Sequence, residues 1–268
     1  IAFKNSKLGI PILIGKEELI KDQIKKIGYN ENFDIEIVNS KDTTKREKYV
    51  KYLFKRLQRE KGMLEWDCDR LIRNDRVIWA SCMVACKDAD AMVTGNIRHY
   101  AASVEKLKHV CDARKGEPIF GMTMIVFKGR TVLVADTNVE DFPSSRRLVD
   151  ISKSCVRVAK LFGFDPKVAF LSHSTFGKPI SRNTKHVRDA IDILKEEKVN
   201  FDFDGEMQPD VALNPIYQDI YPFSKIVGKA NILIMPALHS AAISTKLMKS
   251  FGGAKLIGPL LIGLDLPI

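Results

Sequence analysis

The chain has 268 residues, of which 45% are hydrophobic and 28% charged, and its formal net charge is +10. This composition is typical of a globular protein with an ample core and excludes a disordered chain. No apolar run reaches the roughly 18 residues that a membrane-spanning helix needs. The lysines follow helix faces, with no nucleic-acid motif or interleaved aromatic platform. We therefore expect neither a nucleic-acid partner nor membrane association.

The cysteines number five, an odd count, and contain no CxxC pair. This usage favours reduced thiols and a cytoplasmic protein. The sequence starts at Ile1, carries no signal or transit pattern, and stops at Ile268 inside an apolar run. Both ends are interpreted as the cut ends of a piece of a longer polypeptide.

Strands and helices are predicted to alternate along nearly the whole chain, as in α/β proteins. An opening strand, helix and strand over 8–38 are typical of a βαβ unit with parallel strands. The predicted strands cover 8–14, 33–38, 90–95, 119–126, 131–136, 168–172, 201–204 and 231–235. The predicted helices cover 17–27, 44–58, 66–72, 75–84, 100–111, 145–162, 184–197, 210–213 and 242–251. We predict two domains, 1–117 with 262–268, and 118–261.

The segment 201–246 is central to the functional hypothesis. A turn at Asp204-Gly205 is predicted to lead into the acidic helix opening GEMQPD. Further on, the apolar strand 231–235 breaks at Pro236 and a helix opens a few residues later. A buried strand followed by a small-residue turn and a helix N-terminus is where α/β proteins hold anions and cofactors.

The loop after the predicted strand 168–172 is the first candidate binding site. Its hydroxyls, glycine and lysine can hold a phosphate through backbone N–H groups and charge. The candidate residues are Ser174, Thr175, Gly177 and Lys178. The spacing is not that of a Walker loop, and the alternative is an ordinary polar connection between a strand and a helix.

The start of the helix predicted from Tyr100 is the second candidate. Arg98 and the amides of the first helical turn could bind an anion, with His99 and Tyr100 beside them. The alternative is that Arg98 is a solvated residue near the helix cap.

Acidic residues in the central segment form the third candidate. Asp204, Glu206 and Asp210 are close enough in sequence to hold a divalent metal or to act as general acid and base. The favoured interpretation is that Asp204 and Asp210 cap backbone turns, with no metal site. His239 is a candidate base or a hydrogen-bonded structural histidine at the next helix start, and Ser240 lies beside it.

Six segments carry a family pattern in their order along the chain. They are ADAMVTG (89–95), VLVADTNV (132–139), PKVAFLSHSTFG (166–177), VNFDFDGEMQPDVALNP (199–215), VGKANILIMPALHSAAISTKLM (227–248) and GPLLIGLDLPI (258–268). Together they resemble the phosphate acetyltransferase/butyryltransferase family over nearly the whole chain. The phrases STFGKP, DFDGEM, YPFSKIVGKAN and MPALHSAAISTK are similar to the C-terminal phosphotransacetylase-like domain of hybrid NADP-dependent malic enzymes.

The resemblance implies a fold, a reaction and a ligand. The implied fold is a two-domain α/β unit like that of the isocitrate/isopropylmalate dehydrogenases, usually dimeric, with the active cleft between domains. The implied reaction moves an acetyl group between coenzyme A and phosphate, which needs a base and cations. In the malic enzyme subgroup this domain is the implied receptor for inhibitory acetyl-CoA. It carries no cofactor itself, and NADP with Mg or Mn belongs to a module outside this sequence.

The sequence departs from the active family members at two positions where the family has arginine. Glu105 in VEKL occupies one position, and Gln58 in LQREKG, beside Arg59, occupies the other. A family Ser-Arg-Gly segment and a nearby Asp would fall beyond Ile268. Losing two cations could cost several kcal/mol of transition-state stabilisation, since one donor is worth ~3–4 kcal/mol. We therefore assign no catalytic residue and expect weak or absent acyltransferase activity.

Three hypotheses follow from these patterns. The favoured one is a non-catalytic regulatory domain that binds acetyl-CoA or CoA through the candidate residues above and forms a homo-oligomer, at least a dimer. The second is an active phosphate acetyltransferase, which the retained segments STFG, DGEMQPD and GKAN suggest. The third is a metal-dependent dehydrogenase, suggested by the shared fold and the acids over 204–210, although no nicotinamide motif is present.

Overall fold

A computed structural model describes residues 2–28, 35–39, 44–94 and 99–268. The chain divides into two compact units, Ile1–Asp112 with Leu266–Ile268, and Ala113–Asp265. The predicted first domain also included 113–117 and 262–265. These residues belong to the second unit, where Ile262 pairs with Phe120. The Arg114 backbone N–H donates to Gly263 O at 2.7 Å and Ala113 bridges to Leu264, so the two reassigned segments lie together.

The first unit begins with the predicted βαβ arrangement. Strands β1 (Ile12–Ile14) and β2 (Glu36–Val38) pair in parallel and are joined through helix α2 (Glu17–Lys26), so that prediction is confirmed. The first strand is shorter than predicted because Pro11 cannot donate to a strand ladder. The other helices of this unit are α1 (Ala2–Asn5), α3 (Arg46–Lys61), α4 (Glu65–Asn74), α5 (Arg76–Ala85) and α6 (Tyr100–Leu107).

Helices α3, α4 and α5 enclose the core of the first unit. Tyr49 and Trp79 meet edge to face, with ring centroids 5.1 Å apart. Helix α5 begins where Asp75 Oδ1 accepts the backbone N–H of Val77 at 2.9 Å. The same carboxylate pairs with Lys106, which fixes α6 against α5.

The strand predicted over 90–95 is wrong for the residues that the structure describes. Residues 90–94 form no strand, and Gly95 lies outside the described residues. Val93 is fully exposed, and Met92 donates its backbone N–H to Pro267 O at 3.0 Å. The apolar letters AMV therefore cover a surface connection and not a buried strand.

A mixed sheet of six strands forms the centre of the second unit. Its strands are β3 (Phe120–Phe127), β4 (Arg130–Ala135), β5 (Lys167–Leu171), β6 (Asp202–Met207), β7 (Ile232–Ile234) and β8 (Lys255–Ile262), in the order β6-β5-β7-β4-β3-β8. The strands predicted over 119–126 and 131–136 form an antiparallel hairpin of β3 and β4, with positive φ at both Lys128 and Gly129. Strand β8 lies outside the predicted strands because Gly258-Pro259 interrupts its alternation.

Helices cover both faces of this sheet. They are α7 (Ser145–Leu161), α8 (Lys185–Glu196), α9 (Pro209–Leu213) and α10 (Leu238–Ser250). Ile151 of α7 and Ile191 of α8 pack in one apolar cluster with Phe170 of β5. Ala169, the preceding residue of β5, packs in the other cluster with Ala241 of α10. Because both faces are buried, the parallel strands appear in the sequence as continuous apolar runs.

The turn predicted at Asp204-Gly205 is wrong. Strand β6 continues through both residues to Met207, and α9 begins only after Gln208. Gly205 pairs with Phe170 of β5, so the acidic residues that indicated a surface turn are held inside the sheet.

Candidate functional site

The carboxyl ends of four strands meet at one edge of the second unit's sheet. Strands β4, β5, β6 and β7 run parallel to one another, so their exits lie side by side. The chain leaves this edge at Asp136, Ser172, Gln208 and Met235. In open α/β sheets, ligands bind in crevices outside the carboxyl ends of strands.

The loop from Ser172 to Lys178 is folded onto itself and onto β6. Three backbone N–H groups donate within the loop: Ser174 to Ser172 Oγ (3.3 Å), Thr175 to Lys178 O (3.0 Å) and Lys178 to Thr175 O (3.0 Å). The other two donate to β6: Phe176 to Glu206 O (2.8 Å) and Gly177 to Glu206 Oε1 (3.2 Å). Every amide from 174 to 178 thus has an acceptor within the chain. The predicted hold on a phosphate by these N–H groups is not available in this conformation, and an anion would meet side chains such as the exposed Lys178.

Glu206 is the buried centre of this loop, with 1% of its surface exposed. Its carboxylate accepts the Ser174 Oγ–H at 2.8 Å and the Gly177 N–H at 3.2 Å. It also forms an ion pair with Arg188, whose Nη1 lies 3.0 Å from Oε1. A buried charge is tolerated when it is paired and hydrogen-bonded in this way.

An irregularity in β6 explains where Glu206 points. Gly205 pairs with Phe170 and Met207 with the next residue of β5, so Glu206 is the extra residue of a β-bulge. Asp204 instead accepts the backbone N–H groups of Gly205 (2.9 Å) and Lys225 (2.7 Å). The two acids therefore serve different loops. Asp204 accepts backbone N–H groups as predicted, although from within strand β6 and not from a turn, and the predicted capping role of Asp210 stays a prediction.

Arg188 belongs to the site although no sequence pattern indicated it. It lies on α8, and its Nη1 also contacts Thr184 Oγ1 at 2.8 Å, while its Nη2 donates to Ser181 O at 3.0 Å. In the sequence it is an ordinary polar residue of an amphipathic helix. The available signal was indirect, since a buried Glu206 requires a cationic partner.

Asp136 is a second residue that sequence reasoning missed. It is 2% exposed, and its carboxylate accepts the backbone N–H groups of Gly121 (2.9 Å), Asn138 (2.8 Å), Val139 (3.1 Å) and Glu140 (2.9 Å). These bonds fix the loop that follows β4 at the same edge of the sheet. An Asp directly after an apolar strand, followed by Thr-Asn, is a recognisable signal for such an Asx turn.

The predicted site residues of the second unit fall into two groups. Ser174, Thr175, Gly177 and Glu206 come together, with Thr175 Oγ1 accepting the Gln208 N–H at 3.2 Å. The side chains of Lys178, Asp210 and His239 are exposed and lie outside this hydrogen-bond network. Ser240 donates its hydroxyl to Ala237 O at 2.6 Å, within its own helix start.

The remaining predicted residues belong to the first unit. His99 is exposed directly before α6, and Tyr100 is the half-buried first residue of that helix. Arg98 lies outside the described residues. Over the described part of the chain, no three His, Cys, Asp or Glu side chains are grouped so that they could hold a metal ion.

The two positions where the family resemblance implies arginine also lie in the first unit. Glu105 is exposed on α6 and accepts a hydrogen bond from Lys108 Nζ at 2.8 Å. That bond and the charge of Lys108 lower the pKa of Glu105. Gln58 is exposed on α3, with its Nε2 3.5 Å from Lys55 O. Neither side chain offers a cation to a phosphate.

These features define a class of protein: an α/β protein with ordered polar loops at the carboxyl edge of parallel strands. None of the helices in the described ranges combines the length and apolarity needed to cross a membrane.

Comparisons with known proteins give the family. Residues 1–268 match the family described as Phosphate acetyl/butaryl transferase. The chain is 44% identical over 266 residues to an NADP-dependent malic enzyme of Rhizobium meliloti, covering 99% of this chain and 35% of that protein. It is 29% identical over 260 residues to a phosphate acetyltransferase of Bacillus subtilis, covering 96% and 79%. A phosphotransacetylase structure from Streptococcus pyogenes matches with a TM-score of 0.87 and 27% identity, covering 99% and 81%.

The chain therefore belongs to the phosphate acetyltransferase/butyryltransferase family, and its α/β architecture is the phosphotransacetylase fold. The resemblance to NADP-dependent malic enzymes is also confirmed. The chain spans about a third of the length of those relatives, at 35% and 36%.

Proposed function

We propose that the chain is the phosphotransacetylase-like domain of an NADP-dependent malic enzyme and that it binds acetyl-CoA as an allosteric regulator. Its own acyltransferase activity is weak or absent. Oxidative decarboxylation of malate, with NADP and Mg or Mn, belongs in this proposal to a module outside the sequence. No cofactor is assigned to this domain, and the location is cytoplasmic. The identity of 44% to a malic enzyme supports the assignment.

The hydrogen-bond donors at the carboxyl edge of the sheet already have acceptors within the chain, and this observation carries the proposal of weak or absent turnover. Acyl transfer to or from phosphate needs preorganised donors aimed at developing negative charge. Arg188 is paired with Glu206, and the amides of 174–178 all have acceptors within the chain. Glu105 adds a negative charge where active relatives are implied to have a positive one. Binding a thioester does not require donors aimed at a transition-state charge, so we expect binding to be retained without them.

Calorimetry tests the binding half of this proposal. Titrating acetyl-CoA into the purified protein is expected to give saturable heat and a rise in melting temperature, because a ligand that binds only the folded state stabilises it. The absence of both heat and thermal shift at millimolar acetyl-CoA would overturn the proposal. Malate and NADP titrations of the same protein serve as negative controls.

An active phosphate acetyltransferase is the second candidate. The retained segments STFG, DGEMQPD and GKAN support it, as does the similarity to the phosphate acetyltransferase of Bacillus subtilis. Mixing the protein with acetyl phosphate and CoA and following thioester formation discriminates the two candidates. We expect a rate at the level of the protein-free control, whereas turnover well above that level would favour this candidate.

A homo-oligomer, at least a dimer, is also proposed. Ile243, Leu247 and Phe251 recur along α10 and its end at helical spacing, and all three are exposed, Phe251 by 89%. A second copy of the chain would cover this stripe. Light scattering is expected to give at least twice the mass of one chain, and Ile243→Glu with Leu247→Glu is expected to reduce it. A monomeric wild-type protein would overturn this part of the proposal.

A further inference from the structure

Two segments that carry the resemblance to malic enzymes meet in space. The loop STFGKP contributes Phe176, and the segment YPFSKIVGKAN contributes Tyr221 and Phe223. The Phe176 ring centroid lies 5.3 Å from that of Tyr221 and 4.8 Å from that of Phe223. Tyr221 and Phe223 are 6.0 Å apart, and the rings meet at steep angles. These are favourable tilted and edge-to-face geometries. We call the three residues the aromatic cluster.

The aromatic cluster is anchored from both sides. Phe176 packs against the apolar core on the α10 face of the sheet and donates its backbone N–H to Glu206 O at 2.8 Å. The other two rings lie in a turn in which Ser224 N–H donates to Tyr221 O at 3.0 Å. That turn is tied to β6, where Asp204 accepts the Lys225 N–H at 2.7 Å. The rings are therefore preorganised, which lowers the entropic cost of binding a ligand.

One ring of the aromatic cluster is left uncovered. Phe176 and Tyr221 are half-buried, whereas Phe223 is 63% exposed. A single exposed phenylalanine is ordinary on a protein surface. Here, however, the exposed ring is braced by two others, and one of these, Phe176, belongs to the loop of the candidate site.

Two lysines accompany the rings. Lys178 follows Phe176 by two residues and Lys225 follows Phe223 by two residues, and both lysines are exposed. Each chain segment thus brings an aromatic ring and a cation. Stacking on an aromatic side chain recognises the face of a nucleobase, and lysine recognises phosphate as a point charge.

We propose that the aromatic cluster is the stacking platform for the adenine of a nucleotide ligand, with Lys178 and Lys225 supplying positive charge to its phosphates. This inference rests on the proposed binding of acetyl-CoA, because the nucleotide part of that molecule is an adenosine diphosphate with a further phosphate on the ribose. It names the surface that recognises that part.

Titration calorimetry of matched variants tests the platform. Phe223→Ala is expected to raise the Kd of acetyl-CoA and of adenosine 3′,5′-bisphosphate about tenfold. This factor lies in the lower half of the range of affinity losses for one stacked base. Phe223→Trp keeps a ring and is expected to bind like the wild type. Phe162→Ala removes another exposed phenylalanine, at the end of α7, and is the matched control. Replacing both lysines by glutamine is expected to weaken nucleotide binding and flatten its salt dependence.

The outcomes separate this inference from the proposed function. Wild-type binding of acetyl-CoA with unchanged affinity in Phe223→Ala and in the lysine variant would overturn the platform and leave the proposed function standing. Binding of adenosine 3′,5′-bisphosphate alone, lost in Phe223→Ala, would support the platform and count against acetyl-CoA. Binding of neither ligand would overturn both. A change in oligomer mass without a change in affinity would identify the surface as a protein contact and overturn the platform.

Discussion

Glu206 shows how a single buried carboxylate can order a loop. It holds Ser174 and Gly177 directly and is itself neutralised by Arg188. Since Glu206 is 1% exposed, its charge has little access to water and depends on these partners. The loop is thus tied to α8 as well as to β6.

Removing the cation should leave that charge unpaired. Arg188→Met is expected to lower the free energy of unfolding by about 3–5 kcal/mol, the usual cost of breaking a buried ion pair. The matched control is Lys185→Met on the same helix, whose exposed pair with Asp189 is worth at most about 1 kcal/mol. Urea denaturation measures both. Equal, small losses would contradict the central position of Glu206.

Gly205 gives a second prediction at this scale. Its φ is +145°, and a Cβ there would lie 2.6 Å from Phe170 O. Gly163, at the end of α7, has a φ of +78° with open space around it. Gly163→Ala is expected to cost about 1–2 kcal/mol for the left-handed backbone. Gly205→Ala is expected to cost about 1–3 kcal/mol more, because the new Cβ overpacks against Phe170. Equal urea midpoints for the two variants would contradict this expectation.

The site residues show which part of such a site a sequence can predict. Ser174, Thr175 and Gly177 could be predicted from the sequence because polar and small residues directly follow an apolar strand. Arg188 could not be predicted, because its ion pair depends on the β-bulge that turns the Glu206 side chain towards it. A strand that alternates regularly would have placed Asp204 and Glu206 on one face, and only tertiary structure separates them.

At the scale of elements, one carboxylate clamps α7 to α8. Arg146 and Lys153 of α7 both bond Glu197, the residue that follows α8. Hydrogen bonds from Lys153 and then Arg146 lower the pKa of Glu197 below its ordinary value of 4.5. The clamp joins the two helices that cover one face of the sheet.

This clamp predicts a pH dependence with a definite sign. Because the folded pKa of Glu197 is lowered, the unfolded state binds more protons near pH 4.5, and stability rises with pH there. The contribution is complete above the unfolded pKa and is lost as pH falls through the folded one. Urea midpoints of wild type and Glu197→Gln are expected to differ at pH 7 and to converge towards pH 3. A constant difference, or one as large for the neighbouring Glu196→Gln, would contradict the clamp.

The elements also show where sequence patterns succeed. Helices with a strong apolar stripe, such as α7 and α8, begin within a residue of the predicted positions and end within one residue of them. The strand predicted over 90–95 failed because three apolar letters on the surface look the same as three in a core. Strand β8 was hidden because its glycine and proline break the alternation that marks a strand.

At the scale of the whole molecule, the family and its fold followed from the order of six segments, and the comparisons confirm both. The likeness of the fold to the isocitrate/isopropylmalate dehydrogenases stays a prediction, as do the oligomer and the role of the ligand. Periodicity and composition alone led no further than an α/β protein with an anion site. Periodicity and composition indicate which residues face a core. The chemistry at the carboxyl edge of the sheet depends instead on contacts between α8, β6 and the loop after β5, which these patterns do not show.

One calorimetric titration tests the central claim, which is that this domain binds acetyl-CoA but does not catalyse acetyl transfer to phosphate. Acetyl-CoA is titrated into the protein in phosphate buffer, and the cell contents are then assayed for free thiol and acetyl phosphate. We predict a saturable isotherm with no more thiol or acetyl phosphate than in a protein-free cell. A flat titration at millimolar acetyl-CoA, or many equivalents of acetyl phosphate per protein, would contradict the account.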